Sequence, residues 1–165
     1  MRKNERKRVV GILTILLLLC LLIGVPVYKV WIQDNSMCVE VNDEKIEPHI
    51  NVLSGRADGS YWDSSVLSLP CAAAKSEEEV HFIYQNEFPA DITVIKYDVL
   101  DENSPLGANQ SRGEPEQLEL RRREDRMSFV VPEFNNDYQL IRCCCTWKFL
   151  FFEKNVEYVF SLKNE

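Results

Sequence analysis

Residues 138–163, YQLIRCCCTWKFLFFEKNVEYVFSLK, carry the pattern that decides the fold. Ile141, Cys143, Cys145, Trp147 and Phe149 fall on one parity, and Arg142, Cys144, Thr146 and Lys148 on the other. The same two-residue period returns in Val156, Tyr158, Phe160 and Leu162, set against Glu157, Ser161 and Lys163. Successive side chains of an extended strand point to opposite faces, so this period marks strands with one face in a core. The spacing predicts strands over 138–150 and 156–162, joined as a hairpin that turns at 153–155.

Shorter runs of the same kind fill the sequence before it. They predict strands near 37–41, 46–53, 79–85, 92–100, 117–121 and 127–131, with one more short strand within 59–69. Val80, Phe82 and Tyr84 share a face opposite Glu79 and His81, and Met127, Phe129 and Val131 line up likewise. Turn-forming stretches such as FPAD (residues 88–91) separate the runs. No long segment after residue 33 shows a 3.6-residue period, and no internal repeat is visible. Half-buried strands at this spacing predict an all-β fold, an antiparallel two-sheet sandwich over residues 33–165. The polar segment 101–116 is expected to be a long loop that is disordered or used for binding.

The N-terminus has a different texture. Residues 1–8, MRKNERKR, contain five basic side chains, and residues 9–28, VVGILTILLLLCLLIGVPVY, contain no charge. As a helix at ~1.5 Å per residue the second stretch spans about 30 Å, the thickness of a bilayer's hydrocarbon core. Its Leu, Ile and Val residues each favour insertion by roughly 0.3–0.6 kcal/mol. A cleaved signal peptide has a shorter apolar stretch and small residues at the cut; neither is present. Acylation at Cys20 is disfavoured by Leu17, Leu18 and Leu19 before it. Lys29 and Trp31 stand where a snorkelling amine and an interfacial indole anchor a helix end. The expected organisation is a basic cytoplasmic tail (1–8), an uncleaved transmembrane signal-anchor helix (9–32) and an extracytoplasmic domain (33–165). The basic cluster lies before the helix, so the positive-inside rule puts the N-terminus in the cytoplasm and the C-terminal domain outside. The lipid bilayer of the cell membrane is then the first expected partner.

Charge limits the others. Residues 1–33 carry +5, six Lys or Arg against Glu5, so a chain of net −7 leaves −12 on residues 34–165. Such a domain is repelled by nucleic acid, and no nucleic-acid partner is expected.

Several elements together resemble a known group. Gly59-Ser60-Tyr61-Trp62, the V-x-F-x-Y run at Val80, Phe82 and Tyr84, and Pro89 leading into Ile92-Thr93-Val94 form one part. A strand bearing Trp147 ahead of Val156, Tyr158 and Phe160 forms the other. In these the chain is similar to uncharacterised small membrane-anchored or lipoprotein-like proteins of Gram-positive bacteria over residues 55–163. The resemblance implies an immunoglobulin-like ectodomain and brings no activity and no functional residues. It departs from the pattern in placing Trp62 directly after Tyr61 and in lacking an acylated cysteine.

Cysteine offers the most reactive chemistry. Outside the apolar helix lie Cys38, Cys71 and the run Cys143-Cys144-Cys145. Neighbouring residues on a strand point apart, so three in a row cannot close a tetrahedral zinc site. Cys143 and Cys145 belong to the apolar face, whereas Cys144 is expected to be an exposed thiol of ordinary acidity. A disulfide from Cys144 to Cys38 or to Cys71 is the alternative, since the compartment is one where disulfides persist. His49 and His81 have no ligand partner nearby in sequence, and Ser64 and Ser65 have no nucleophile-elbow context. Glu77-Glu78-Glu79 and the Asp101, Glu102 pair lack calcium-loop spacing, and Arg121-Arg122-Arg123 suits a polar hairpin turn. Asn109-Gln110-Ser111 is a glycosylation sequon only in a eukaryotic host. No catalytic, cofactor or metal residue is expected. Two functional classes remain: a tethered interaction module that binds an envelope protein or glycan through its loops, or an envelope thiol-redox or other enzyme using Cys144.

Overall fold

The computed structural model describes residues 3–28, 36–52, 63–108, 110–123, 126–149 and 152–165. Helix α1 (Lys3–Val27) is followed by strands β1 (Met37–Val41), β2 (Glu44–Ile46), β3 (His49–Val52), β4 (Cys71–Ala74), β5 (Glu79–Tyr84) and β6 (Asp91–Asp98). Then come β7 (Glu116–Leu118), β8 (Arg121–Arg122), β9 (Met127–Val130), β10 (Tyr138–Phe149) and β11 (Phe152–Asn164). They form two sheets, one ordered β2-β1-β5-β9-β8 and the other β3-β11-β10-β6-β7, with β4 also on β11. β1–β2, β1–β5, β5–β9, β8–β9, β3–β11, β6–β10 and β6–β7 pair antiparallel, and β4 runs parallel to β11. Neither sheet closes into a barrel. By contacts the chain divides into two units: residues 34–147 with 155–165, which hold most of the strands, and residues 1–33 with 148–154.

The two-residue period places the core where the sequence predicts it. Val39, Phe82 and Phe129 of the first sheet join Val94, Ile141, Cys143, Trp147, Tyr158 and Phe160 of the second in one buried cluster. Phe82 meets Phe129 at 5.6 Å between centroids and Phe160, from the other sheet, edge-on at 6.5 Å. Burying each large side chain there stabilises the fold by about 1.5–3 kcal/mol, which is why the alternation is kept so strictly.

Helix α1 begins at Lys3, well before residue 9, because Lys, Arg and Glu are good helix formers and nothing in residues 3–8 interrupts them. The large apolar side chains of residues 9–25 are 42–62% exposed, without a polar stripe among them. Among the described residues no helix is long and apolar enough to cross a membrane.

Other boundaries move for local reasons. The strand predicted over 46–53 is two strands in different sheets, broken at Pro48, which has no N–H for a ladder. Asn42 and Asp43 carry φ of 50° and 65°, the left-handed pair of a primed hairpin turn that reverses β1 into β2. The strand predicted over 117–121 likewise divides, β7 joining the second sheet and β8 the first. β4 is an unpredicted strand, because Cys71-Ala72-Ala73-Ala74 shows weak β propensity; its Ala72 and Ala74 are fully in the core. Of residues 59–69, 59–62 lie outside the described residues and Val66–Ser68 is a 3-10 turn, so no strand is seen there. Lys29, Trp31 and the Gly59-Ser60-Tyr61-Trp62 element also lie outside the described residues.

Residues 153–155, predicted as a turn, belong to β11, which starts at Phe152; residues 150–151, after the end of β10 at Phe149, lie outside the described residues. Asn155 is held as a strand residue by Thr146, whose Oγ1 donates to Asn155 Oδ1 at 2.7 Å.

The second sheet departs most from expectation on its outward face. Glu157, Val159 and Ser161 share the polar parity of β11, yet all three are buried. A second apolar cluster of Val66, Leu69, Tyr97, Val99, Leu106, Leu140 and Val159 covers that face. The segment 101–116, expected to be a free loop, is pinned to it: Leu106 is buried, and its N–H donates to the Ser64 carbonyl at 3.0 Å. The Ser111 carbonyl accepts from Leu100 N–H at 2.8 Å, and Ser111 Oγ donates to the Ala108 carbonyl at 2.7 Å. Asn109 of the sequon lies outside the described residues, and Ser111 is buried.

Candidate functional site

The cysteine run sits at the centre of β10 and serves two environments. Cys143 and Cys145 face the core beside Ile141 and Trp147, as the alternation predicts. Their sulfurs lie 3.5 Å apart, and the Tyr84 hydroxyl is 3.6 Å from Cys145 Sγ. Both are weak hydrogen bonds in which either group can donate, not covalent links. Residues two apart on a strand are roughly 6.6 Å apart along the chain with parallel Cβ directions, an arrangement that does not suit a disulfide. Edge-on aromatic contacts close the pocket: Tyr84 with Trp147 at 6.3 Å, and Trp147 with Tyr158 at 6.4 Å. Burial pushes the Cys143 thiol well above its usual pKa and raises the Tyr84 phenol too, because neither charged form has water to solvate it.

Cys144 faces the other way, with Arg142 and Thr146, as expected, but it is half-buried. Its Sγ lies 3.9 Å from Glu157 Oε1 and points its proton at the carboxylate. Burial raises its pKa first and the Glu157 charge raises it further, against the opposing pull of Arg142. The expectation of an exposed thiol of ordinary acidity is therefore corrected upward. Reactive cysteines have depressed pKa values in electropositive surroundings, so this environment works against a thiolate.

The structure does not bring Cys144, Cys38 and Cys71 together, and all three are free thiols. Cys38 lies on the outward face of the first sheet, half-buried, its Sγ donating to the Ile46 carbonyl at 3.4 Å. Burial raises its pKa as well. Cys71 is exposed on β4, opposite Ser161 in register. β4 lies two strands from β10, about 9–10 Å at ~4.8 Å per strand, beyond the Cα separation a disulfide spans. A water-soluble thiol reagent on the folded chain should label Cys71 fastest, Cys144 slowly, and Cys143 and Cys145 only on unfolding. Peptide mapping of the labelled sites checks this, and labelling of Cys143 at the pace of Cys71 would refute the face assignment.

Beside Cys144 is a buried ion pair that the sequence alone does not announce. Arg142 Nε donates to Glu157 Oε1 at 2.7 Å, Nη2 donates to the same oxygen, and Nη1 donates to the Tyr97 hydroxyl at 3.0 Å. The Arg112 guanidinium lies 4.8 Å over the Tyr97 ring. Glu157 is 1% exposed, so its charge depends on these partners. The available signal was Glu157 as the one charge within the run Val156–Phe160, which reads equally well as a solvated face.

The remaining candidates are structurally engaged. Glu78 accepts from Lys75 N–H and Asn42 Nδ2, both at 2.8 Å, and Glu79 accepts from Ser128 Oγ at 2.5 Å. These hydrogen bonds hold both carboxyls below their usual range. His81 Nε2 stands 3.9 Å from Glu79, on the outward face of the first sheet; His49 is exposed on β3. Asp101 accepts from Asn103 N–H and Ser104 Oγ, which lowers its pKa. Ser65 precedes the 3-10 turn, and Arg121 and Arg122 pair with Ser128 and Met127 as a polar hairpin. Among the described residues no group of three or more His, Cys, Asp or Glu is placed to hold a metal ion. An open concavity of about 420 Å³ lies between residues 99–102 and 135–138, and Asp101, Glu102 and Asp137 stand on its rim. Compared with known protein families and with curated proteins, the chain matches no family model and no curated protein.

Proposed function

We propose that the chain is a membrane-tethered interaction module whose β domain is displayed outside the cell and docks on an envelope protein or a glycan through its loops. The observation that carries the reading is α1: its apolar side chains from Val9 to Val25 are exposed on all sides. A helix that is apolar all round belongs in a protein core or in lipid. The described helix falls short of a span by itself, and the reading takes the whole uncharged run 9–28 of the sequence, about 30 Å as a helix, as the span. The basic residues before it favour a cytoplasmic N-terminus.

An immunoglobulin-like sandwich is the reading of the domain, in line with the resemblance to small membrane-anchored proteins of Gram-positive bacteria. What supports it is strand order. β1-β5-β9-β8 follows the A-B-E-D path of that fold, and β4-β11-β10-β6-β7 follows A′-G-F-C-C′, with β4 parallel to β11. In such domains loops at the ends of the sandwich do the binding, and the concavity at 99–102 and 135–138 is one such end. Fold alone does not assign a ligand.

Protease added to intact cells tests the topology. The domain should be digested along with control ectodomains, leaving a protected N-terminal fragment that contains residues 9–28. Survival of the domain while controls are cut would reverse the orientation, and a mature chain starting near residue 25 or 37 would remove the anchor.

A further inference from the structure

Cys143, Cys145 and Tyr84 form a cluster that brings two sulfurs and a hydroxyl together. Cys143 and Cys145 project to the same face of β10, both buried, with their sulfurs 3.5 Å apart. The Tyr84 hydroxyl, from β5 in the other sheet, stands 3.6 Å from Cys145 Sγ. Burial raises the Cys143 thiol, and a hydrogen bond with Tyr84 pulls it back in part, so the phenol reaches both sulfurs.

The chemistry of the cluster selects its ligand. Thiols hold soft centres as thiolates and give up their protons in doing so. Thiolate charge is poorly solvated at this depth, so the bound species has to leave the pair neutral. A cuprous ion between two thiolates leaves a net negative charge. Zinc balances the charge but wants four ligands. A mercuric ion holds two sulfurs on opposite sides of itself, whereas these two project side by side. Trivalent arsenic replaces two protons without residual charge, and its three bonds lie close to right angles. It therefore holds two neighbouring sulfurs on one side and keeps one oxygen.

We infer that Cys143 and Cys145 are a capture site for trivalent arsenic, taken up as arsenous acid, with the Tyr84 hydroxyl holding the remaining As–OH. Two S–H bonds and two As–OH bonds break, two As–S bonds form, and the two protons leave with the two hydroxides as water. No electrons move, and arsenic stays trivalent. Tyr84 and Phe88 meet edge-on at 5.3 Å, both half-buried, and residues 85–87 between them are exposed. Displacing the Tyr84 ring opens the sulfurs to a small uncharged solute, while a bulky water-soluble thiol reagent stays outside. The site does not depend on the tether reading.

The test uses the full chain in detergent micelles, incubated with arsenite, desalted and examined by native mass spectrometry. One arsenic per chain is expected, bound with loss of two waters. Alkylation on unfolding should then spare Cys143 and Cys145 and reach the other cysteines. Cys145→Val, which keeps an apolar side chain there, should abolish retention, and Cys71→Ser combined with Cys144→Ser should leave it intact. Tyr84→Phe should weaken it roughly two- to tenfold, the effect of one hydrogen bond. Arsenic retained by Cys145→Val, or taken up by the unfolded chain alone, overturns the inference. So does alkylation of Cys143 and Cys145 at the pace of the other cysteines after arsenite. Loss of the near-UV circular dichroism signal on uptake overturns it as well, because binding would then require the core to come apart. If Cys145→Val does not fold, the alkylation map of the parent chain decides alone.

Discussion

Trp147→Ala should destabilise the domain by about 3–5 kcal/mol, the range for deleting a large core aromatic. Trp147 is 5% exposed and lies edge-on against Tyr84 and Tyr158, so its removal leaves a cavity bordered by rigid rings that cannot collapse into it. Its indole Nε1 also donates to the Glu87 carbonyl at 2.9 Å, tying β10 to the segment after β5. Trp147→Phe keeps most of the ring volume and loses that hydrogen bond with the rest of it, so about 1–3 kcal/mol is expected. Denaturant unfolding of the solubilised chain gives both values. An unchanged midpoint for Trp147→Ala would mean the strand is shifted by one residue, since such a slip exchanges the two faces.

Arg142→Ala should cost a comparable amount, about 3–5 kcal/mol, because it strips the partner from a buried carboxylate. The Glu157 side chain is 2% exposed, while that of Arg142 is 21% exposed, so the damage comes from the charge left behind on Glu157. The double variant Arg142→Met, Glu157→Leu removes both charges and fills much of the same space beside Tyr97. It should recover most of the loss, since a buried ion pair is often replaceable by apolar side chains. A double variant no more stable than Arg142→Ala would show that the pair itself stabilises the fold beyond satisfying its own burial.

The cysteine run shows how far the sequence could be read. Cys143 and Cys145 were legible as core because Ile141 and Trp147 flank them at the same parity. Cys144 was legible as facing away, but its acidity was not. That depends on Glu157, thirteen positions on, and on burial of the outward face. Pro48 and the Asn42-Asp43 pair divide 37–52 into three strands, each by acting on its own backbone, although the expected strand over 46–53 ran through Pro48. β4 was not readable, because three alanines carry little strand preference and the strand exists by pairing with Ser161–Asn164 far along the chain.

By itself the sequence determined one buried face of each long strand, and that an uncharged apolar run precedes the domain. Both are local properties: side chains alternate along any extended strand, and hydropathy sums over neighbours. Only the tertiary structure decided that β7 and β8, three residues apart, belong to different sheets, and that residues 101–111 fold back as a cover. It also decided that Glu157 is buried against Arg142 and not solvated. Those outcomes depend on contacts between segments distant in sequence, whose free energy appears only when both partners are in place, and alternation within one strand carries no record of them.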